Sequence, residues 1–284
     1  MFAGVALQNS DHGAGLRVSR DEIERMAAAA ATIRECRRAL ADRNTDLLTE
    51  LTAGGALIPD WRHYPEGDVF DPDTHAQYFF HAHPIDGRSA PESGHFHTFL
   101  RPEGMPPGVA PLLLPELAVA DVAASPPQAA PIKRGTRDEV SHLIAISIDH
   151  RGEPVRLFTT NRWVTGETWY RADDVIRMLD RFAIAEVAPS EIVNRWVPAM
   201  IQLFRPQIGA LLCARDVAVM AWRRRRRTHV FEDPRLEITS SLDIGLEAQL
   251  AFVKATLSDQ AEAAVHRAPD LPPMAEGWGE GHPD

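Results

Sequence analysis

The stretch YFFHAHPIDGRSAPESGHFHTFLR, residues 78–101, decides the fold because it places two His-x-His pairs inside two apolar runs. Runs rich in aromatic residues favour β-strands, and the Pro, Gly and Ser residues between them are typical of a connecting loop. The stretch therefore predicts a β-hairpin. Six of the twelve histidines of the chain fall between residues 63 and 97, so the same region is also where we expect the chemistry.

The spacing of the histidines matches the period of a β-strand. Because side chains alternate between the two faces of a strand, His81 and His83 share one face, as do His95 and His97. If His83 lies opposite His95 and His81 lies opposite His97, all four imidazoles meet on one face. A slip of one residue would separate the two pairs, and the long connecting loop leaves the register open.

The apolar residues of the hairpin divide between the two faces in the same way. In this register Phe79 lies opposite Phe99 and forms an apolar wall beside the histidines. The other face is predicted to be hydrophobic core and carries Phe80, Ala82, Phe96, Thr98 and Leu100.

The four imidazoles predict a metal site. Neutral imidazole is the commonest protein ligand of divalent transition metals, whereas structural zinc sites usually include thiolates. We therefore expect zinc or iron, with Glu92 as a nearby carboxylate ligand and an open coordination position that activates water or dioxygen. His63, His75 and His142 are candidates for extra ligands or for partners that orient the ligands.

Other functions fit the same histidines, and the sequence leaves them open. They could form a non-catalytic metal- or small-molecule-binding site, a metal-free polar pocket, or a set of buried structural histidines. A haem ligand is a further alternative, although no CxxCH motif occurs. GxSxG, GxxxxGKS and HExxH motifs are also absent. The helices of the C-terminal half could instead form a dimer or partner surface.

A second group of chemically versatile side chains follows a predicted strand, in NRWVTGETWY (161–170). This segment could bind a small-molecule substrate, and Arg162 could hold a carboxylate or phosphate. The candidate substrate-binding residues are Asn161, Arg162, Trp163, Glu167 and Tyr170. The alternative is structural, with the tryptophans covering the core and Arg162 paired with Glu167 at its rim.

Composition narrows the possible partners and compartments. The formal net charge of −10 argues against a general nucleic-acid binder. The run Arg223–Arg227 is explained by a solvated helix C-terminus or by an anion contact. Cys36 and Cys213 do not support a disulfide framework or a cysteine zinc site. Since neither a signal peptide nor a membrane span is recognised, we expect a cytoplasmic protein.

The pattern along the chain predicts an α+β protein, with a small antiparallel sheet of at least two hairpins packed against several helices. HLIAISID (142–149) and PVRLFTT (154–160) predict the second hairpin. Helices are predicted over residues 21–43, 44–53, 171–182, 190–226 and 241–257. Pro198 and Pro206 are expected to break or kink the fourth of these.

One domain is predicted over residues 19–265. A flexible N-terminus (1–18) precedes it, and a disordered tail (266–284) follows it. Residues 102–135 carry eight prolines and are predicted to be a loop or an insertion. The oligomeric state is not predicted.

Several motifs together resemble an uncharacterised bacterial family that is classed as a domain of unknown function. The motifs are HYPEGDVFD (63–71), YFFHAH (78–83), GHFHTFLR (94–101), LFTTNRWVTGETWY (157–170) and NRWVPAMIQLFRPQI (194–208). The resemblance covers roughly residues 20–255 and implies no activity, cofactor or catalytic residue. The His-x-His pairs are also similar in chemistry to those of cupins, but Pro84 follows the first pair where a cupin continues towards a glutamate ligand.

Overall fold

A seven-stranded sheet is the scaffold of the protein in the computed structural model, which describes residues 5–7, 18–55, 61–82, 92–114, 140–226 and 228–265. Its strands are β1 (Val5–Leu7), β2 (Tyr64–Phe70), β3 (Ala76–His81), β4 (Glu92–Leu100), β5 (Ser141–Asp149), β6 (Pro154–Thr160) and β7 (Ile238–Asp243). Their order in the sheet is β1-β7-β6-β5-β4-β3-β2. β1 pairs parallel with β7, and all other neighbours are antiparallel.

The helices of the described chain supply the second layer. They are α1 (Arg20–Asp42), α2 (Leu47–Leu51), α3 (Arg162–Thr165), α4 (Ala172–Leu179), α5 (Glu191–Leu203), α6 (Arg205–Arg226) and α7 (Leu246–Val265). Apolar side chains from α1 and from α4 to α7 pack with one face of the sheet in a single core. The predicted α+β architecture is therefore confirmed.

Several local predictions can be compared directly with these elements. The second hairpin is confirmed, because β5 and β6 pair antiparallel on either side of a tight turn. The stretch 190–226, predicted to be helical with a break or kink at Pro198 and Pro206, forms two helices that meet at Phe204. Pro206 lies in the first turn of the second helix, and Pro198 is accommodated inside the first. Residues 241–243, predicted as helix, belong to β7.

Parts of the predicted flexible N-terminus and of the Pro-rich segment belong to the described residues. Val5–Leu7, inside the predicted flexible N-terminus, pairs with β7. Residues 102–114 of the Pro-rich segment include a short 3₁₀ turn at Pro102–Gly104 and a bridge from Pro111 to Tyr170. Residues 115–139 and the predicted tail 266–284 lie outside the described residues.

The register of β3 against β4 brings two histidines opposite each other. His81 lies opposite His95, and Phe79 lies opposite His97. The predicted pairs, His83 with His95 and His81 with His97, are therefore wrong by two residues along β3. An even shift keeps every side chain on its predicted face, so His81, His95 and His97 still share one face. His83 lies outside the described residues.

The opposite face of this hairpin is core, as predicted. Its predicted core side chains are at most 1% exposed, namely Phe80, Ala82, Phe96, Thr98 and Leu100. The ring of Phe96 lies 5.5 Å from that of Trp196 on α5, which ties the hairpin to the helical layer. Burial of these large apolar side chains fixes the face that β3 and β4 turn away from the helices, and the histidines lie on that face.

Among the described residues, no single helix has the length and apolar character needed to cross a membrane. The pair α5 and α6, bent by 71° where they meet, reaches that length and composition only when both helices are taken together.

The turn between β2 and β3 is held by a buried carboxylate. Asp71 is 1% exposed and accepts hydrogen bonds from the backbone N–H groups of Asp73 (3.0 Å) and Thr74 (2.8 Å). A third donor is the backbone N–H of Ala185, which follows α4. Burial alone would raise the pKa of Asp71, but these donors favour the carboxylate and hold its pKa below the ordinary value.

Replacing Asp71 by alanine should lower the free energy of unfolding by about 2–4 kcal/mol near neutral pH, because three buried N–H groups lose a charged acceptor. Since the pKa of Asp71 is lower in the folded state, this stabilisation is present above pH ~4 and is lost as the pH falls further. Urea denaturation between pH 3 and pH 7 measures both effects. Asp73→Ala is the control, since its exposed carboxylate is replaced while its backbone donor remains. Equal stability of the two variants at neutral pH would refute this role for Asp71.

Candidate metal centre

Three imidazoles converge on the face of the sheet that points away from the helices. The Nε2 atoms of His81 and His95 are 2.8 Å apart, and those of His95 and His97 are 3.1 Å apart. One ring nitrogen from each of the three residues lies within 4.8 Å of the other two. These three residues could therefore hold one metal ion.

The sheet positions the three rings rigidly. His81 and His95 are cross-strand partners on β3 and β4, and His97 is the next residue on the same face of β4. Gly94 permits this close pairing, because a Cβ at that position would lie 2.4 Å from the carbonyl oxygen of His81. The three side chains are 9%, 6% and 1% exposed respectively, so the site is largely shielded from bulk water.

A β-bulge brings a fourth histidine to the cluster. On β5, Ile144 lies opposite Thr98, whereas His142 lies opposite Phe99, so Leu143 is an extra residue in the ladder. The extra residue turns His142 to the face of the metal-site histidines instead of the core face. Its Nε2 atom is 3.0 Å from Nδ1 of His97.

The contact between His142 and His97 fixes how His97 can be used. One ring nitrogen of His97 faces His142, which leaves its Nε2 atom directed at the other two metal-site histidines. A hydrogen-bonded partner on the second ring nitrogen is the usual arrangement for a metal-binding histidine, because it sets the tautomer and the ring orientation. His142 is thus placed as an orienting residue rather than as a member of the triad.

Burial favours the uncharged form of these rings. It lowers the pKa of His97 well below the ordinary value, and the neighbouring imidazoles of His95, His142 and His81 lower it further. Burial also lowers the pKa of His142 to about 3, with a contribution from the positive charge of Arg215. Since a metal binds the neutral imidazole, His97 need not lose a proton before it binds a metal near neutral pH.

A buried carboxyl group contacts the backbone of His142. Glu167 is 2% exposed and accepts a hydrogen bond from the backbone N–H of His142 at 2.8 Å. Burial raises the pKa of Glu167 to about 7, although Arg215 and this hydrogen bond oppose the rise. Arg215 is itself 2% exposed, stacks on Trp169 and donates to the carbonyl oxygen of Tyr170. These buried polar groups line the site on the side of His142.

Aromatic rings line the sides of the cluster. Phe79 and Phe99 are not cross-strand partners as predicted, because the two-residue shift pairs Phe99 with Gln77. Their rings nevertheless stack at 5.6 Å, and Phe79 lies 5.3 Å from the ring of His97. Phe158 on β6 meets the ring of His95 edge-on at 5.0 Å. The predicted apolar wall is therefore present with a different pairing.

The remaining predicted ligands are not members of the convergent group, or lie outside the described residues. The ring of His63 nevertheless lies 6.1 Å from that of His81. Glu92 forms an ion pair with Arg156 at 2.7 Å and is not part of the convergent group. His63 stacks on Phe79 at 3.7 Å and contacts Asp68 through Nδ1 at 2.8 Å. His75 lies in the β2–β3 turn beside Phe70.

The residues predicted to bind substrate make structural contacts. Asn161 caps α3 and donates to the carbonyl oxygen of Val230, while Trp163 donates to the carbonyl oxygen of Leu236. Arg162 forms an ion pair with Glu232 and not with Glu167, the partner that the structural alternative expects.

Tyr170, the last of the predicted substrate-binding residues, belongs to the hydrophobic core and is only 3% exposed. Glu167, also in the predicted group, accepts a hydrogen bond from the backbone of His142, and the ring of His142 contacts His97.

Sequence reasoning missed three residues near the cluster. Ser147, Arg156 and Arg215 carry no motif, and only strand pairing or helix packing brings them to the site. Alternation along β5 and β6 could have suggested the first two, but only with the register known. Nothing in the sequence of α6 distinguishes Arg215 from its exposed arginines.

Comparison with known proteins gives one positive result. Residues 27–244 match a family model described as a domain of unknown function, DUF6969. No curated protein and no solved structure matches the chain.

Glu167 should make stability depend on pH in a way that a glutamine does not. Because the pKa of Glu167 is raised in the folded state, its carboxyl group is protonated there between pH ~4.3 and pH ~7. In the unfolded state the same group has already lost its proton over this range. The wild type should therefore lose about 3 kcal/mol of unfolding free energy relative to Glu167→Gln as the pH rises across this range.

Chemical denaturation of both proteins at several pH values measures this difference. Glutamine keeps an oxygen that can accept from the N–H of His142, so the backbone contact survives the substitution. Glu66→Gln, at an exposed position, serves as the control. A difference between wild type and Glu167→Gln that does not change with pH would contradict the account.

Proposed function

We propose that this chain, which belongs to the DUF6969 family of domains of unknown function, is a metal-dependent enzyme that acts on a small molecule. His81, His95 and His97 would hold a zinc or iron ion, and the ion would activate water or dioxygen at an open coordination position. The observation that carries the proposal is the convergence of three imidazoles on adjacent strands, with one ring nitrogen from each within 4.8 Å of the other two.

The spacing of the nitrogens supports one shared ion. An ion bound tetrahedrally at ~2.0–2.1 Å from three imidazole nitrogens holds them about 3.3 Å apart. The pairs at 2.8 and 3.1 Å need to separate by only a few tenths of an ångström to reach this geometry.

The number of ligands supports catalysis. Catalytic zinc sites have three protein ligands and leave the fourth position to water, whereas structural sites are closed and rich in thiolates. Cys36 and Cys213, the cysteines of this chain, are not in the cluster. Bound zinc lowers the pKa of its water to about 7 and so supplies a nucleophile near neutral pH, while iron would serve dioxygen chemistry.

The wall of the cluster suggests where a substrate would approach. Trp61 is 60% exposed and meets the ring of His81 edge-on at 5.6 Å. His63 and Phe79 stack beside it. Aromatic surfaces next to a metal are suited to a small organic molecule, since the rings can cover its apolar part while the ion binds its polar part.

A non-catalytic metal-binding protein is the second candidate, and the depth of the site favours it. His97 is 1% exposed and His95 is 6% exposed, which is typical of a site that stores or senses an ion. Water-proton relaxation of the copper-loaded protein separates the two functions. The enzyme proposal predicts enhanced relaxation from an exchangeable water on the ion, whereas no enhancement would favour the closed, non-catalytic site.

The proposal predicts one equivalent of a single metal in protein purified without a tag or a nickel or cobalt column. The double variant His81→Ala/His97→Ala should lose essentially all of it, because one imidazole alone cannot retain a divalent ion during purification. Elemental analysis of the two proteins, with and without anaerobic reconstitution with iron or zinc, measures the result.

The matched control is His150→Ala/His229→Ala, which removes two exposed histidines outside the cluster. Circular dichroism and thermal melting establish that each variant is folded before its metal is measured. Equal metal content in the folded triad variant and in the control would refute the assignment. So would wild-type protein that takes up no metal under any of these conditions.

A further inference from the structure

Ser147 is a buried hydroxyl group in the same cross-strand row as two of the metal-site histidines. The row runs across four strands through His81, His95, Ser147 and Arg156. Partners in such a row point to the same face, with Cβ atoms about 4.5–5.5 Å apart. Ser147 therefore lies beside His95 on the face of the proposed metal ion.

The hydroxyl of Ser147 has no hydrogen-bond partner within the described structure, although the residue is 0% exposed. Three other buried hydroxyls in the same sheet do have partners. Thr98 donates to the carbonyl oxygen of Ile144 at 2.7 Å, and the hydroxyls of Thr159 and Ser240 are 2.6 Å apart. Because an unsatisfied buried hydroxyl is costly, a group beside the histidines that completes its hydrogen bond would be bound favourably.

The charge of the site indicates what that group would be. A divalent ion on three neutral imidazoles keeps both of its positive charges. The carboxylate of Glu92 forms an ion pair with Arg156, with contacts of 2.7 and 2.9 Å. Glu167 is bonded to the backbone of His142 on the far side of His97. Within the described residues no carboxylate joins the triad, so an anionic oxygen from outside the protein would balance the charge best.

We infer that Ser147 donates a hydrogen bond to a small anionic oxygen ligand, a hydroxide or a carboxylate, at the open position of the ion held by His81, His95 and His97. The inference rests on the proposed metal site and names the class of ligand that the site selects. The hydroxyl acts on the ligand and not on the ion, so its removal should weaken anion binding and leave metal binding intact.

Cobalt-loaded protein tests this inference, since the visible spectrum of the cobalt ion reports both its binding and its ligand exchange. Acetate is the probe. Ser147→Ala should bind cobalt like the wild type but bind acetate about tenfold more weakly, the effect of one hydrogen bond to a charged acceptor. Ser147→Thr, which restores a hydroxyl, should recover most of the affinity.

Ser141→Ala is the matched control. Ser141 is also 0% exposed with an unpartnered hydroxyl on β5, but it lies opposite Leu100, on the core face of the sheet. Its loss should leave acetate affinity unchanged. If all four proteins bind cobalt and acetate equally well, Ser147 has no such role and the metal site stands. If none binds cobalt, the proposed metal site fails and the inference fails with it.

Discussion

The antiparallel register that sets His81 opposite His95 is the constraint on which the rest of the site depends. Side chains alternate along a strand, so a slip of a single residue would turn one of these rings into the helical core. The burial of Phe80 and Phe96 on the opposite face prevents that slip, because each would have to exchange places with an imidazole. The hydrophobic core thus selects the register, and the register assembles the imidazoles.

A cluster of buried imidazoles is unstable unless each ring nitrogen has a hydrogen-bond partner or binds a metal ion. Burial disfavours the charged form, and neighbouring rings add to this effect, as the lowered pKa of His97 shows. Neutral rings in contact can share protons in pairs, but each ring offers one donor and one acceptor at most. The proposed divalent ion would remove the conflict, since it would accept one lone pair from each of the three rings at once. His142 would hold the second ring nitrogen of His97, and Glu167 would hold the backbone of His142.

Much of the fold, but only part of the site, could be predicted from the sequence. The spacing of His81, His95 and His97 predicts a common face, and this survives because the true register differs from the expected one by an even number of residues. The partner of His95 could not be predicted, since the long loop of the hairpin does not set the register. The bulge at Leu143 that redirects His142 also leaves no local signal. Arg162 pairs with Glu232 because the fold brings together segments 70 residues apart in sequence.

X-ray absorption spectroscopy of the metal-loaded protein tests the central claim most directly, because it counts the ligands of the ion and identifies them. The account predicts three imidazole nitrogens at ~2.0–2.1 Å together with one oxygen ligand from solvent. A shell of four imidazoles would contradict the open position. A shell made mainly of oxygen, without the multiple-scattering signature of imidazole, would place the ion elsewhere and contradict the site itself.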